Sequence, residues 1–264
     1  TVGTDNITID GNGYTLTCLD TDGDSYGIHL DGRNNVTIRN IGIEEFNYGI
    51  RAQDCEYIEI LDSAIIDNKW WYGIFFIDTT DGTISGNTLE GNGLRTGGAA
   101  IMFLRSSFNM ITGNTIDDNG TGIYILNSSE DNTITGNEVT NNDEDGILIK
   151  SSDNNVIESN RFCSNAWTLQ TNYNYSDIRV ESGSANTGDN NFCDSASGYD
   201  DTGTTGCTFS CSPGWINDFD GDGTSDIGIF REASGLWAIR GLTRLYFVTV
   251  GDQPEPSDYD GDGT

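Results

Sequence analysis

The chain has 264 residues and 35% hydrophobic content, enough for one large domain or two smaller ones. Lys and Arg number 12 against 42 Asp and Glu, a formal net charge of −30 that repels phosphate backbones and anionic lipid surfaces. Nucleic acid is therefore excluded as a partner on charge, and no apolar run is long enough to insert in a membrane. The opening TVGTDNITIDGNGYTL has no basic head followed by an apolar stretch, so the expectation is a mature or trimmed part of a longer polypeptide.

From about Asn6 to Ser182 one segment type returns every 22–27 residues. Aligning GIHLDGRNNVTI, GIRAQDCEYIEI, GIFFIDTTDGTI, GIYILNSSEDNTI and GILIKSSDNNVI puts Gly27, Gly49, Gly73, Gly122 and Gly146 in register, each followed by Ile. Such a period marks stacked supersecondary units. Within each unit, short runs alternate apolar and polar residues and are split by Gly, Asn, Asp and Ser, which is strand patterning rather than a 3.6-residue helical period. The predicted fold is all-β: a right-handed parallel β-helix of about seven coils, ~35 Å long at ~4.8 Å per coil. Alternation sends Ile28, Leu30, Ile50, Ile74, Phe76, Ile101, Phe103, Ile123, Ile125, Ile147 and Ile149 inward.

Two asparagine columns support the same register. Asn87, Asn114, Asn137 and Asn160 share one turn position; Asn68, Asn92, Asn119, Asn142 and Asn165 share another. Stacked Asn side chains can each donate to one neighbour and accept from the next. The NVTI, TISGN, MITGN and TITGN stretches, with the Gly-Ile strands before them, resemble the parallel β-helix repeats of the NosD-like family over about residues 1–195. That resemblance implies a secreted or cell-surface protein. The family's copper association is not carried over, because one His and two Met make no convincing copper relay.

Six cysteines, none in a CxxC pair, and a single histidine, His29, leave no zinc-type cluster and indicate disulfides in an oxidising compartment. Cys163–Cys193 and Cys207–Cys211 are the preferred bridges, in and around a connector at 196–214. Beyond it, Asp218, Asp220, Asp222 and Asp226 in DFDGDGTSD stand at alternating ligand positions that can wrap calcium, with the Thr224 carbonyl as a further ligand. The loop returns 40 residues on as Asp258, Asp260 and Asp262, and Ile229 stands where an EF-hand needs Glu. This stretch resembles FG-GAP/VCBS-type calcium-binding repeats, which implies a small, incomplete C-terminal β unit at about 215–264, like one propeller blade.

No Ser/His/Asp or Cys/His set is present; outward Asp31, Asp54 and Asp78 could be arranged as an acid/base pair, but solvated acids are far commoner, so no catalytic residue is assigned and the reading leans against an enzyme. The outward positions of the Gly-Ile strands instead give an apolar stripe: Phe75, Ile77, Met102, Leu104, Tyr124, Leu126 and Leu148. Exposed, it would be a docking face of several hundred Å². Trp70 and Trp71 stand beside it, next to an insertion at Gly93–Gly98. Sequons occur at Asn6, Asn35, Asn119, Asn127 and Asn174; Asn119 belongs to a ladder and should be shielded, leaving Asn6, Asn35, Asn127 and Asn174 as acceptors. The expectation is an extracellular structural protein, a cell-surface, sheath or filament subunit that self-associates through the stripe and the calcium-stabilised C-terminal repeat. The alternative is a carbohydrate-binding adhesin, or a polysaccharide lyase or hydrolase.

Overall fold

A computed structural model describes residues 1–18, 24–95, 97–166 and 175–211, together with the strand backbones Gly228–Arg231, Leu236–Ile239 and Thr243–Tyr246. The chain divides into two compact units, Thr1–Thr208 and Phe209–Thr264. No described residue is in an α-helix.

The first unit is a parallel β-solenoid with three sheets. A single coil illustrates the plan. Glu56–Leu61 enters the first sheet, Ala64–Ile66 the second and Tyr72–Ile77 the third; the next coil repeats this with Thr83–Ser85, Thr88–Glu90 and Ala99–Leu104. Each strand pairs in parallel with its counterpart one coil away, giving sheets of eight, seven and eight strands. Ile50, Ile74, Ile101, Ile123, Ile147 and Ile178 are mutual register partners along the third sheet, and each is fully buried. The predicted inward residues all lie in one continuous core. At roughly 1.5–3 kcal/mol per buried aliphatic side chain, this column supplies much of the drive for coiling.

Corners are turned by residues with positive φ. One corner column reads Asn40, Asp62, Gly86, Gly113, Gly136, Ser159 and Asn190, with φ between 45° and 66°. Asn, Asp and Gly tolerate the left-handed region best, which explains their abundance. The glycine before each core Ile has a different cause. A Cβ on Gly49 would lie 2.5 Å from the Gly73 carbonyl oxygen, and one on Gly122 would lie 2.4 Å from that of Gly146.

Both predicted asparagine ladders form. The Asn87 backbone N–H and Nδ2 donate to Asn114 Oδ1 at 2.9 and 3.0 Å, and the pattern continues through Asn137 and Asn160 to Asn191. The second ladder runs from Asn68 to Asn165 in the same manner. Two further columns were not anticipated: Asn109, Asn132, Asn155 and Asn186, and the hydroxyl column of Thr79, Ser106, Ser129 and Ser152. Carboxylates end two ladders. Asp177 Oδ1 accepts from Asn165, and Asp201 accepts from the Asn191 backbone and side chain. An acceptor-only group suits that position, because every donor arriving from the preceding coil needs an oxygen.

The preferred disulfide pairing is corrected. Cys193 is bonded to Cys207, with Cα atoms 5.6 Å apart, so neither Cys163–Cys193 nor Cys207–Cys211 forms. Cys163 and Cys211 are also disulfide-bonded, and Cys55 is a buried thiol. The reason lies in the path after the last coil: Asp201 accepts from Thr208, folding the chain end back towards Cys193. In the second unit, Gly228–Arg231, Leu236–Ile239 and Thr243–Tyr246 form an antiparallel three-stranded sheet. The proposed calcium ligands Asp218, Asp220, Asp222, Thr224, Asp226, Asp258, Asp260 and Asp262 lie outside the described residues.

Candidate functional face

The outer face of the third sheet carries two long columns in register. One reads His29, Arg51, Phe75, Met102, Tyr124, Leu148 and Arg179; the other reads Asp31, Gln53, Ile77, Leu104, Leu126, Lys150 and Glu181. Both pass from polar through apolar to charged. Contrary to the expected exposed stripe, relative exposure is only 9% for Phe75, 8% for Ile77, 3% for Met102 and 6% for Leu148. Leu104, Tyr124 and Leu126 are half-buried and pack on the same outer cluster, with Tyr48 and Tyr72 at its entry side. In-register stacking at coil spacing closes the flanks of each side chain.

At the C-terminal end of this face the charges are mutually satisfied. Arg179 Nε donates to the fully buried Asp145 carboxylate at 2.9 Å and its Nη1 to Glu181, while Lys150 pairs with Glu181 at 3.0 Å. The Tyr175 hydroxyl donates to Glu144 at 3.2 Å. The Lys150 hydrogen bond holds the Glu181 carboxyl below its ordinary value.

The N-terminal end is aromatic. Tyr26, Tyr48 and Tyr72 are register partners. Tyr26 stacks on Tyr48 at 5.1 Å, and Tyr48 stacks on both Trp71 at 6.4 Å and Phe75 at 6.1 Å. His29 stacks on Tyr26, and Arg51 lies 5.7 Å over the same ring. Burial, helped by Asp24 and Tyr26, pushes the Tyr48 phenol up to about 12, so it is a neutral donor under ordinary conditions. Burial and the Arg51 guanidinium push His29 down, favouring neutral imidazole. The sequence carried a signal for this column in its three Tyr-Gly-Ile triplets at 26–28, 48–50 and 72–74.

Trp70 and Trp71 stand at the corner leading into this face, each 39% exposed. The insertion predicted beside them packs onto that corner: the Arg95 N–H donates to the Lys69 carbonyl at 2.9 Å and that of Ala99 to the Trp71 carbonyl at 3.2 Å. Arg95 thereby sits over Trp70, 5.0 Å from the ring centroid. The suggested Asp31, Asp54 and Asp78 set does not assemble as one column. Asp54 and Asp78 occupy left-handed corner positions, Asp31 is a strand residue, and Asp78 accepts two hydrogen bonds from Arg105. Of the sequons, Asn6, Asn35 and Asn127 are exposed, Asn119 is fully buried in its ladder, and Asn174 lies outside the described residues.

Residues 3–210 match the family model for the periplasmic copper-binding protein NosD, and the chain belongs to that family. No curated protein matches it. Among solved structures it is similar to the periplasmic alginate epimerase AlgG, with 21% identity and a TM-score of 0.54 over 61% of this chain and 36% of that one. It also resembles the enzymatically active domain of the bacteriophage CBA120 tailspike protein 2, with 16% identity and a TM-score of 0.47 over 67% of this chain and 27% of that one. The match thus spans about a third of the epimerase, and at these identities the likeness concerns fold alone. The periplasmic family and the cystines place the chain outside the cytoplasm, in an extracellular or cell-surface setting.

Copper, named in the family description, does not fit the donors present. Copper sites use imidazole, thiolate and thioether ligands. Here His29 Nε2 lies 2.8 Å from Arg51 Nη1, Met102 and Met110 stand on different sheets, and the Cys55 thiol is buried and bonded to the Gln53 carbonyl. Among the described residues, no group of three or more His, Cys, Asp or Glu side chains is arranged to hold a metal.

Proposed function

We propose that this protein binds carbohydrate outside the cell, with Trp70, Trp71, Tyr48, Arg51 and Arg95 as the contact residues. The carrying observation is the pair of adjoining exposed indoles, one capped by the Arg95 guanidinium and the other continued by a Tyr stack. Indole and phenol faces take the apolar faces of sugar rings, while neighbouring guanidinium and phenol groups donate to hydroxyls. The net charge of −30 disfavours polyuronates, so the ligand class is a neutral polysaccharide. The AlgG neighbour supports a scaffold able to present such a face, not a shared substrate.

Self-association through the apolar stripe ranks second, because Phe75, Ile77, Met102 and Leu148 are already buried within one chain. Calcium at Asp218–Asp226 and Asp258–Asp262, and glycans at Asn6, Asn35, Asn127 and Asn174, stay proposals resting on residue spacing.

Calorimetric titration with neutral and acidic oligosaccharides, alongside sizing with calcium and with chelator, separates these readings. A neutral ligand should bind a monomer, and Trp70→Ala or Trp71→Ala should weaken binding about tenfold, the equivalent of ~1.4 kcal/mol. Unchanged binding in both variants would sink the assignment; calcium-dependent oligomers without sugar binding would favour assembly. A thermal midpoint lowered by chelator would support the calcium loop.

A further inference from the structure

The corner column entering the first sheet holds Asn6, Asn35, Tyr57, Asp81, Phe108, Asp131, Asn154 and Ala185, all with φ between 53° and 60°. Five of these are Asn or Asp, the residues that tolerate this conformation; a bulky aromatic there is a genuine outlier. Tyr57 and Phe108 are nevertheless placed at it, and burial does not repay them: they are 52% and 60% exposed. Ala185, the third exception, presents no group. Backbone strain held in place without a packing return points to a use for the side chain itself.

Tyr57 also lines an open cleft of about 380 Å³ with Asn6, Asn34, Asn35, Glu59, Asp81 and Thr83, within the ~300–1,000 Å³ range of small-molecule sites. Its polar groups are partly spent and partly spare. Asn35 Nδ2 donates to Asn6 Oδ1 at 2.8 Å, and Glu59 Oε2 accepts from Thr37. Among the described residues, none donates to Asn35 Oδ1 or the Asp81 carboxylate and none accepts from Asn6 Nδ2, and all three side chains are exposed. The cleft thus offers one aromatic face with both donors and acceptors, the combination a sugar ring needs. Glu59 and Asp81 repel anionic sugars.

We propose that the cleft beside Tyr57 is a second saccharide site, distinct from the Trp70–Trp71 face and standing on separate observations, which takes a neutral sugar ring on the Tyr57 phenol. The ring has two chemical sources: a free oligosaccharide, or a glycan on Asn35, whose sequon opens the cleft.

The test uses the intact chain carrying Trp70→Ala and Trp71→Ala, titrated with cellobiose, mannobiose, N,N′-diacetylchitobiose and, as acidic control, digalacturonate. A neutral disaccharide should still bind, and adding Tyr57→Asn should abolish that binding while raising the thermal midpoint, because Asn suits the corner. For the attached source, mass spectrometry of the chain from its native host should find a glycan on Asn35. Enzymatic release should then lower the thermal midpoint of the unsubstituted protein but not that of Tyr57→Asn. Absence of both residual binding and an Asn35 glycan overturns the proposal, as does residual binding that survives in Tyr57→Asn, or a fall in midpoint on glycan release that is as large in Tyr57→Asn as in the unsubstituted protein. Failure of the Trp70–Trp71 site alone leaves these readouts untouched.

Discussion

A ladder asparagine performs several tasks at once, which is why substitution there is expensive. Asn114 Oδ1 accepts from the Asn87 N–H and Nδ2, while its own Nδ2 donates to the Ile84 and Thr112 carbonyls and to Asn137 Oδ1. Asn114→Ala leaves the buried Asn87 N–H without its acceptor and takes one donor from the Ile84 carbonyl. With ~1–3 kcal/mol per unsatisfied buried group, we expect a loss of about 2–4 kcal/mol in chemical denaturation. Asn114→Asp should cost at least as much, because its second oxygen would face the two carbonyls. These ladder residues were legible in sequence since their spacing repeats. Their terminators were not: Asp177 and Asp201 break the Asn pattern, and only the fold puts them next in line.

Coil closure rests on how near one strand's backbone comes to the next. The Gly-Ile register was readable because glycine recurs, but its cause is steric and needs coordinates: a Cβ on Gly122 would meet the Gly146 carbonyl at 2.4 Å. Gly122→Ala should therefore overpack the joint and cost about 1–3 kcal/mol by thermal or chemical unfolding, with far-UV signal retained. A variant as stable as the parent would show that the coils can slide apart freely. One coil carries Ala100 at this position, fully buried, so the strain is local rather than prohibitive. The outer face was only partly legible. Alternation identifies Phe75, Met102 and Leu148 as outward, yet outward does not mean exposed: Tyr48, Tyr72, Leu104, Tyr124 and Leu126 pack against the cluster of Phe75 and Met102, and Leu148 is only 6% exposed. The Tyr-Gly-Ile triplets hold the aromatic stack in plain view, but the tyrosines precede the glycine and so lie outside the alternating Gly-Ile strand pattern.

Across the first unit, the C-terminal end is closed by a polar plug. The Tyr199 hydroxyl donates to Asp201 at 2.7 Å, Asn191 donates to both residues, and the Cys193–Cys207 bond fastens the segment. Burial alone would raise the Asp201 carboxyl, but hydrogen bonds from Tyr199, Asn191 and the Thr208 backbone hold it below its ordinary value. Burial and Asp201 push the Tyr199 phenol up. A depressed carboxyl contributes stability that is full above its unfolded value of about 4 and is lost as pH falls through its folded value. Asp201→Asn should therefore destabilise the protein by about 1–3 kcal/mol at neutral pH, and the gap to the parent should narrow below pH ~4. A gap independent of pH would mean that the charge of Asp201 plays no part. Comparing the two proteins removes the general effect of relieving a net charge of −30 on acidification.

The sequence by itself determined the coil period, the inward residues, two of the ladders, the acidity and an oxidising setting. All of these are properties of spacing and composition, which a repeating chain displays along its length. Tertiary structure decided the rest: the partner of Cys193, the ladder terminators, the burial of the outer stripe, and the exposure of Tyr57, Trp70 and Trp71. Those depend on which groups the coiled chain brings together, 10 to 14 residues apart for the terminators and the cystine, and on what covers a face once the coils have closed. Alternation reports which way a side chain points; only packing settles whether water reaches it.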